Sequence, residues 1–182
     1  MIFHETPLSG AYVIETEPVA DERGLFARTW CEREFAAHNL ETRIAQCSTS
    51  FNPKSGTLRG MHYQVEPLAE TKIVRCTRGA IHDVIIDLRR DSPTFRRHFA
   101  IVLTESDRKI VYVPKGFAHG FQTLEDDTEV FYQISEFYSP QHGRGVRWDD
   151  PAFGIRWPDA VRRIGDRDRS YPDFAEVGAI PR

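Results

Sequence analysis

The sequence predicts an all-β domain, and three observations carry that expectation. Short runs rich in Val, Ile, Thr and aromatic residues recur about every ten residues, each bounded by turn signals. Aromatic residues make up 12% of the chain, and 12 Gly with 11 Pro supply frequent turns. One segment alone carries a convincing helical pattern. Spacing of this kind is what a β-sandwich or barrel produces.

In chain order, Ala11 to Glu17 opens with Tyr, Val and Ile, and Asp21-Glu-Arg-Gly24 turns the chain into a second run, Leu25 to Trp30. Glu32 to Asn39 is the helical segment: Phe35 and Ala36 sit in a charged context and Asn39 can cap the end. Thr42 to Ser50 is the next strand, and Asn52-Pro-Lys-Ser-Gly56 reads as a turn before Thr57 to Gln64. Further strands are expected at Lys72 to Thr77, Ala80 to Leu88, His98 to Leu103, Lys109 to Val113 and Glu129 to Phe137. From Trp148 onward, Pro, Asp and Arg dominate. This stretch reads as an irregular arm lying on a sheet, with a short helix near Pro158 to Ile164. No repeat, low-complexity tract or linker divides the chain, so residues 1–182 read as one domain.

A chain of 182 residues can bury a full core without disulfides or metals. Its 24 basic and 27 acidic side chains leave a formal charge of −3, which argues against a nucleic-acid binder. Cys31, Cys47 and Cys76 form no C-x-x-C pair, so neither a disulfide framework nor a zinc ribbon follows. No apolar run approaches bilayer length and no signal peptide is legible, so no membrane association and a cytoplasmic location are expected.

Phosphate-cradling glycine loops, dinucleotide fingerprints and the G-x-S-x-G elbow are missing. Two other segments are denser in functional groups than strands need to be: Gly56-Thr-Leu-Arg59-Gly-Met-His62-Tyr-Gln64, with Lys72 soon after, and Pro114-Lys-Gly116-Phe-Ala-His119-Gly120-Phe121. On a strand, Leu58, Gly60, His62 and Gln64 share one face. A lone histidine there would ordinarily be a buried one with a backbone partner. Here Arg59, His62, Lys72 and His119 all fall beside glycine-framed strands.

The P-x-G-x-x-H pattern resembles the second signature of the cupins, and Gly56 to Gly79 matches the first in outline. That resemblance implies a cupin-type jelly roll, a double-stranded β-helix with a few short helices. Many cupins hold a metal through H-x-H, a Glu and a later His. In this chain the H-x-H position reads His62-Tyr-Gln64, and an amide is a poor ligand for a divalent transition metal. Lys72 would add a positive charge beside any such metal, so a metal-free cupin without a cofactor is expected.

Seven segments in order sharpen the resemblance: Asp21 to Phe26, Gly56 to Gln64, Asp87 to Phe95, Pro114 to Phe121, Tyr132 to Tyr138, Gly145 to Pro151 and Ile155 to Pro158. Together they are similar to the dTDP-4-dehydrorhamnose 3,5-epimerase family, whose members invert carbons beside the ketone of a nucleotide-linked 4-keto sugar. The resemblance implies His62 as base, Tyr132 as acid on the opposite face, Lys72 at the C4 oxygen and Asp168 as the partner of His62, with Asp166 the nearby competitor. Such chemistry needs a base, an acid and a positive group at the enolate oxygen. The ordinary pKa of histidine, about 6.5, suits the base. Taken singly, Tyr132 would be packing, Lys72 a surface lysine and Asp168 a solvated acid in a charged tail.

For the nucleotide diphosphate sugar, the resemblance implies Arg23 and Arg59 at the diphosphate, Phe26 and Tyr138 near the base, Gln46 as a polar base contact, and His119 and Arg167 as further contacts. It also implies a homodimer with exchanged N-terminal strands, so that Arg23 and Phe26 serve the partner's site. The chain departs from the family at Arg28, Cys47-Ser48 and Gly143, which lie on the nucleotide side, and in Gly165-Asp-Arg-Asp168. A 3- or 5-monoepimerase is the alternative within the same chemistry. A metal-dependent cupin enzyme and a non-catalytic sugar-nucleotide binding module are the alternatives outside it.

Overall fold

Hydrophobic alternation along the strands builds two facing sheets. The computed structural model describes residues 1–174. Its strands are β1 (Ile2–Glu5), β2 (Tyr12–Glu15), β3 (Val19–Asp21), β4 (Gly24–Phe26), β5 (Gln46–Asn52), β6 (Thr57–Gln64) and β7 (Lys72–Arg78), followed by β8 (Ala80–Asp87), β9 (His98–Thr104), β10 (Ile110–Val113), β11 (Phe117–Thr123), β12 (Thr128–Ile134), β13 (Gly143–Gly145) and β14 (Arg163–Ile164). Two short helices, α1 (Glu32–Ala37) and α2 (Asp166–Arg169), accompany them.

One sheet runs β1-β2-β10-β7-β12-β5; the other runs β13-β6-β11-β8-β9, with β14 alongside β6. Pairing is antiparallel throughout except for β14 on β6. The two facing antiparallel sheets are the sandwich that a jelly roll requires. The hairpin β3–β4 belongs to neither sheet. No helix among the described residues is long and apolar enough to cross a membrane.

Period-two alternation sorts the core into layers. Val74, Cys76, Ile81, Ile85, Leu103, Val111, Phe117, Phe121 and Val130 meet between the sheets. The opposite face of β8, with Val84 and Ile86, joins Met61, Tyr63 and Ala118 beneath Val146, Phe153 and Phe174 of the C-terminal arm. The arm therefore lies on a sheet, as its composition suggested. Helix α1 covers the outer face of the first sheet through Phe35, packed with Ile14, Ile73, Ile110 and Tyr112.

Asn39 ends α1 in a left-handed conformation, φ 56°. Its N–H bonds to the Ala36 carbonyl and that of Leu40 to the Phe35 carbonyl, both at 3.0 Å, which closes the helix as a Schellman motif.

Several expected elements differ. The run after Gly24 pairs only as far as Phe26, because its partner β3 is three residues long. The expected helix near Pro158 to Ile164 is not formed. Arg162 N–H instead bonds to the Gly56 carbonyl at 2.9 Å, and Arg163–Ile164 lies parallel to Thr57–Leu58. Helical structure in the arm comes later, at α2. Strand β11 falls on the motif containing His119, and β1 and β3 add two short pairings.

Candidate active site

At one end of the sandwich the inward positions turn from apolar to polar. There His62, Lys72, His119 and Tyr132 face a cavity of about 350 Å³, lined also by Arg59, Gln64, Glu70, Tyr138, Arg144 and Arg167. Strict alternation would put Arg59 and His62 on opposite faces of β6. A bulge brings them together: His62 pairs with His119, whereas Arg59 pairs with Phe121, so β6 carries one residue more than β11 across this step. Gly60 sits at the bulge with φ 132°, and a Cβ there would lie 2.5 Å from the Gly120 Cα. Only two glycines allow so close an approach.

His62 is bound to the second helix. Its Nε2 lies 2.7 Å from Asp168 Oδ1, while Asp168 Oδ2 accepts the Gly60 N–H at 3.0 Å. Burial alone would raise the Asp168 pKa. The His62 hydrogen bond and charge, the Gly60 N–H and nearby Arg167 outweigh it and hold the carboxyl below its ordinary value. Asp168 is thus an acceptor at neutral pH, so Nε2 carries a proton, and in the neutral ring the lone pair lies on Nδ1. The competing Asp166 is exposed and has no contact with His62.

A second histidine–carboxylate pair stands beside the first. His119 Nε2 is 2.7 Å from Asp83 Oδ1, with side chains 4% and 1% exposed. Asp83 Oδ2 has no hydrogen-bond partner among the described residues. The His119 ring meets Tyr132 edge-on at 6.0 Å between centroids. Burial pushes the Tyr132 phenol above its ordinary value, Asp83 adds to that and Arg59 opposes it. At neutral pH Tyr132 is a protonated donor.

Lys72 Nζ lies 3.0 Å from Glu70 Oε1 and donates to the His62 carbonyl at 3.3 Å. Arg59 is fixed by Asn52, whose Oδ1 accepts its Nε–H at 2.7 Å. Gln64 occupies the position of a second cupin metal ligand. Its amide donates to the carbonyls of Leu68 and Phe137 at 3.0 and 3.1 Å and accepts the Ser139 N–H at 2.6 Å. That amide is a clamp for two loops. Among the described residues, no group of three or more His, Cys, Asp or Glu is arranged to hold a metal.

At the rim, Arg167 donates to the Tyr138 hydroxyl at 3.1 Å. Gln46 accepts the Tyr138 N–H at 3.0 Å and supports that loop without lining the cavity. Arg23 and Phe26 are not brought to this site within the chain. They stand on the β3–β4 hairpin, Phe26 78% exposed, and line a separate groove with Val19 and Leu25. Sequence reasoning missed Asp83 and Glu70. Asp83 had a signal, an acid between Ile81 and Ile85 on one face of a strand; Glu70 had none.

Comparison with known proteins follows this geometry. The sequence profile of the family described as dTDP-4-dehydrorhamnose 3,5-epimerase matches residues 5–176. The chain is 38% identical over 178 residues to the dTDP-4-dehydrorhamnose 3,5-epimerase of Sinorhizobium fredii, covering 97% of this chain and 91% of the relative. The crystal structure of the Bacillus anthracis dTDP-4-dehydrorhamnose 3,5-epimerase with TDP and PPi bound superposes with a TM-score of 0.91 at 37% identity, covering 94% of this chain and 98% of that one. ChmJ, a 3'-monoepimerase from Streptomyces bikiniensis in complex with dTDP-quinovose, superposes at 0.87 with 32% identity over 94% and 87% of the two chains.

Proposed function

Since the chain belongs to the dTDP-4-dehydrorhamnose 3,5-epimerase family, we propose that it inverts C3 and C5 of a dTDP-linked 4-keto-6-deoxyhexose by moving protons beside the ketone. The observation that carries this reading is the Asp168–His62 pair facing a cavity that also holds Tyr132 and Lys72.

The C4 ketone acidifies the hydrogens on C3 and C5. His62, with Nε2–H held by Asp168, abstracts one of them through Nδ1, and the carboxylate stabilises the imidazolium that results. The electron pair moves to the C4 oxygen as an enolate, where the Lys72 ammonium offsets the charge. Tyr132, kept protonated, returns a proton to carbon from the other side, and the centre is inverted. Arg59 supplies a guanidinium group suited to the diphosphate, and Arg167 is a further substrate contact. His119 and Tyr138 complete the substrate contacts, with Gln46 acting through the Tyr138 loop.

Arg23 and Phe26 serve the neighbouring subunit in a homodimer with exchanged N-terminal strands. The exposure of Val19, Leu25 and Phe26 on a hairpin outside both sheets supports this arrangement. The enzyme works in the cytoplasm and uses no metal or cofactor.

The likeness to a 3'-monoepimerase favours a second reading, inversion at C3 alone. One experiment tests both. The protein is incubated with the dTDP-4-keto-6-deoxyglucose substrate in deuterated water and followed by proton NMR. Deuterium at C3 and C5 is expected; deuterium at C3 alone establishes the monoepimerase, and none at either carbon leaves a binding module. Stoichiometric iron, manganese or zinc in protein purified without chelator would overturn the cofactor-free reading.

A further inference from the structure

Glu70 is the only carboxylate lining the cavity among the described residues; Arg59, Lys72, Arg144 and Arg167 are its cations. It precedes Lys72 by two residues in the connection from β6 to β7. Its Oε1 is 3.0 Å from Lys72 Nζ, with the two side chains 9% and 11% exposed. Glu70 takes no hydrogen bond from any N–H or O–H of the described backbone or side chains, so the lysine is its one charged contact. Thr71, between the two, is pinned in both directions. Its N–H donates to Ser135 Oγ at 2.8 Å, and its carbonyl accepts the Ser135 N–H at 3.0 Å. These two bonds fix the backbone from which both side chains project.

An ammonium on a flexible four-carbon stem has many conformations, and like charges in the same cavity disfavour those that point inward. A nearly buried cation also needs an anion to offset lost hydration. Among the described residues neither Asp83 nor Asp168 pairs with Lys72; their ion pairs are with His119 and His62. We propose that Glu70 is a positioning residue for Lys72. Its carboxylate holds the ammonium as an ion pair at 3.0 Å while the His62 carbonyl takes one N–H, and another N–H is left for the C4 oxygen of the sugar. The proposal rests on the reading of Lys72 as the group at that oxygen.

A double-mutant cycle on deuterium wash-in tests it, using wild type, Glu70→Gln, Lys72→Met and the double variant. Glu70→Gln is expected to lower kcat about tenfold with KM within about twofold, the loss of one charge-assisted contact. In the Lys72→Met background the same change leaves the residual rate within about twofold. Equal losses in both backgrounds, a change confined to KM, or no loss at all would overturn the proposal. Should Glu70→Gln not fold, Glu70→Asp enters the same cycle and is read the same way.

A second readout does not depend on activity. In protein labelled with 15N-lysine, the Lys72 ammonium gives a resolved proton–nitrogen signal, assigned by its loss in Lys72→Met, and Glu70→Gln abolishes it. Persistence of that signal unchanged would refute the positioning role. Wild-type protein that exchanges no deuterium would overturn the proposed reaction itself, so the two failures are told apart.

Discussion

Asp168→Asn changes one oxygen into an NH2 group and nothing else in shape. The carboxylate now satisfies two donors at once, His62 Nε2–H at 2.7 Å and the buried Gly60 N–H at 3.0 Å. An amide has one acceptor atom, so one of the two must face an N–H. The Gly60 backbone cannot retreat, since its Cα is pressed against Gly120. Leaving its N–H unpaired costs about 1–3 kcal/mol. The amide oxygen therefore stays on Gly60 and its NH2 turns to His62.

Nε2 must then accept, the ring proton moves to Nδ1, and the nitrogen facing the substrate has no lone pair. The same exchange in a serine-protease triad lowers kcat about 10⁴-fold for this reason. A loss of about 10³ to 10⁴ in wash-in rate is expected here, ~4–5 kcal/mol of barrier. KM should hold within about twofold, because Asp168 stands behind His62 and outside the main cavity lining. The assay is proton NMR of C3–H and C5–H in deuterated water, with thermal unfolding run in parallel. A folded Asp168→Asn protein that keeps more than about a tenth of the wild-type kcat would refute the tautomer argument.

Three further outcomes are expected. Gly60→Ala places a Cβ 2.5 Å from the Gly120 Cα in a backbone of φ 132°; it should destabilise by about 3 kcal/mol in urea unfolding, and a change under about 1 kcal/mol would mean that the bulge relaxes. Asp168, with its folded pKa held below 3.8, contributes stability that is complete above that unfolded value and is lost as pH falls through the folded one. The stability gap between wild type and Asp168→Asn should therefore close as pH falls through the carboxylate range, and a gap that widened across that range would reverse the assigned sign. Phe26→Ser, at a side chain 78% exposed in the single chain, should leave each subunit folded but raise KM about tenfold and weaken dimers by light scattering; unaltered KM would remove Phe26 from the partner's site.

The fold was legible where side-chain periodicity and turn residues agreed. Strand β6 follows its expected bounds, Thr57–Gln64, and α1 starts at Glu32 and is closed by Asn39 as read from sequence. The arm after Trp148 was legible as irregular but not in detail. Strand β14 in it exists because Arg162 and Arg163 reach the Gly56 carbonyl, a contact about a hundred residues distant that no local pattern encodes. The candidate site was legible in part: His62, Lys72, His119 and Tyr132 are inward positions on strands, and motifs resembling the family's marked them. Arg59 escapes the alternation rule because the bulge at Gly60 re-aims it. Glu70 and Asp83 are paired with other side chains, Lys72 and His119, and only three-dimensional proximity shows that.

The departures from the family pattern follow from the same division between rigid faces and rims. His62, Tyr132 and Lys72 project from central strands of both sheets, each with neighbours on two sides. A change there disturbs the packing of the sandwich as well as the reaction. Arg28 instead pairs with Glu34 at 3.0 Å on the surface, Ser48 lies on the edge strand β5, and Gly143 opens the edge strand β13. A Cβ at Gly143 would lie 3.2 Å from Arg167 Nη2 and 3.6 Å from the Tyr138 ring. The glycine leaves the Arg167–Tyr138 pair room at the mouth of the cavity. Edge strands and loops bear such exchanges with little packing cost. In the proposed reading the nucleotide-side contacts therefore sit at the rim, while the groups assigned to proton transfer stand on the strands that make the fold.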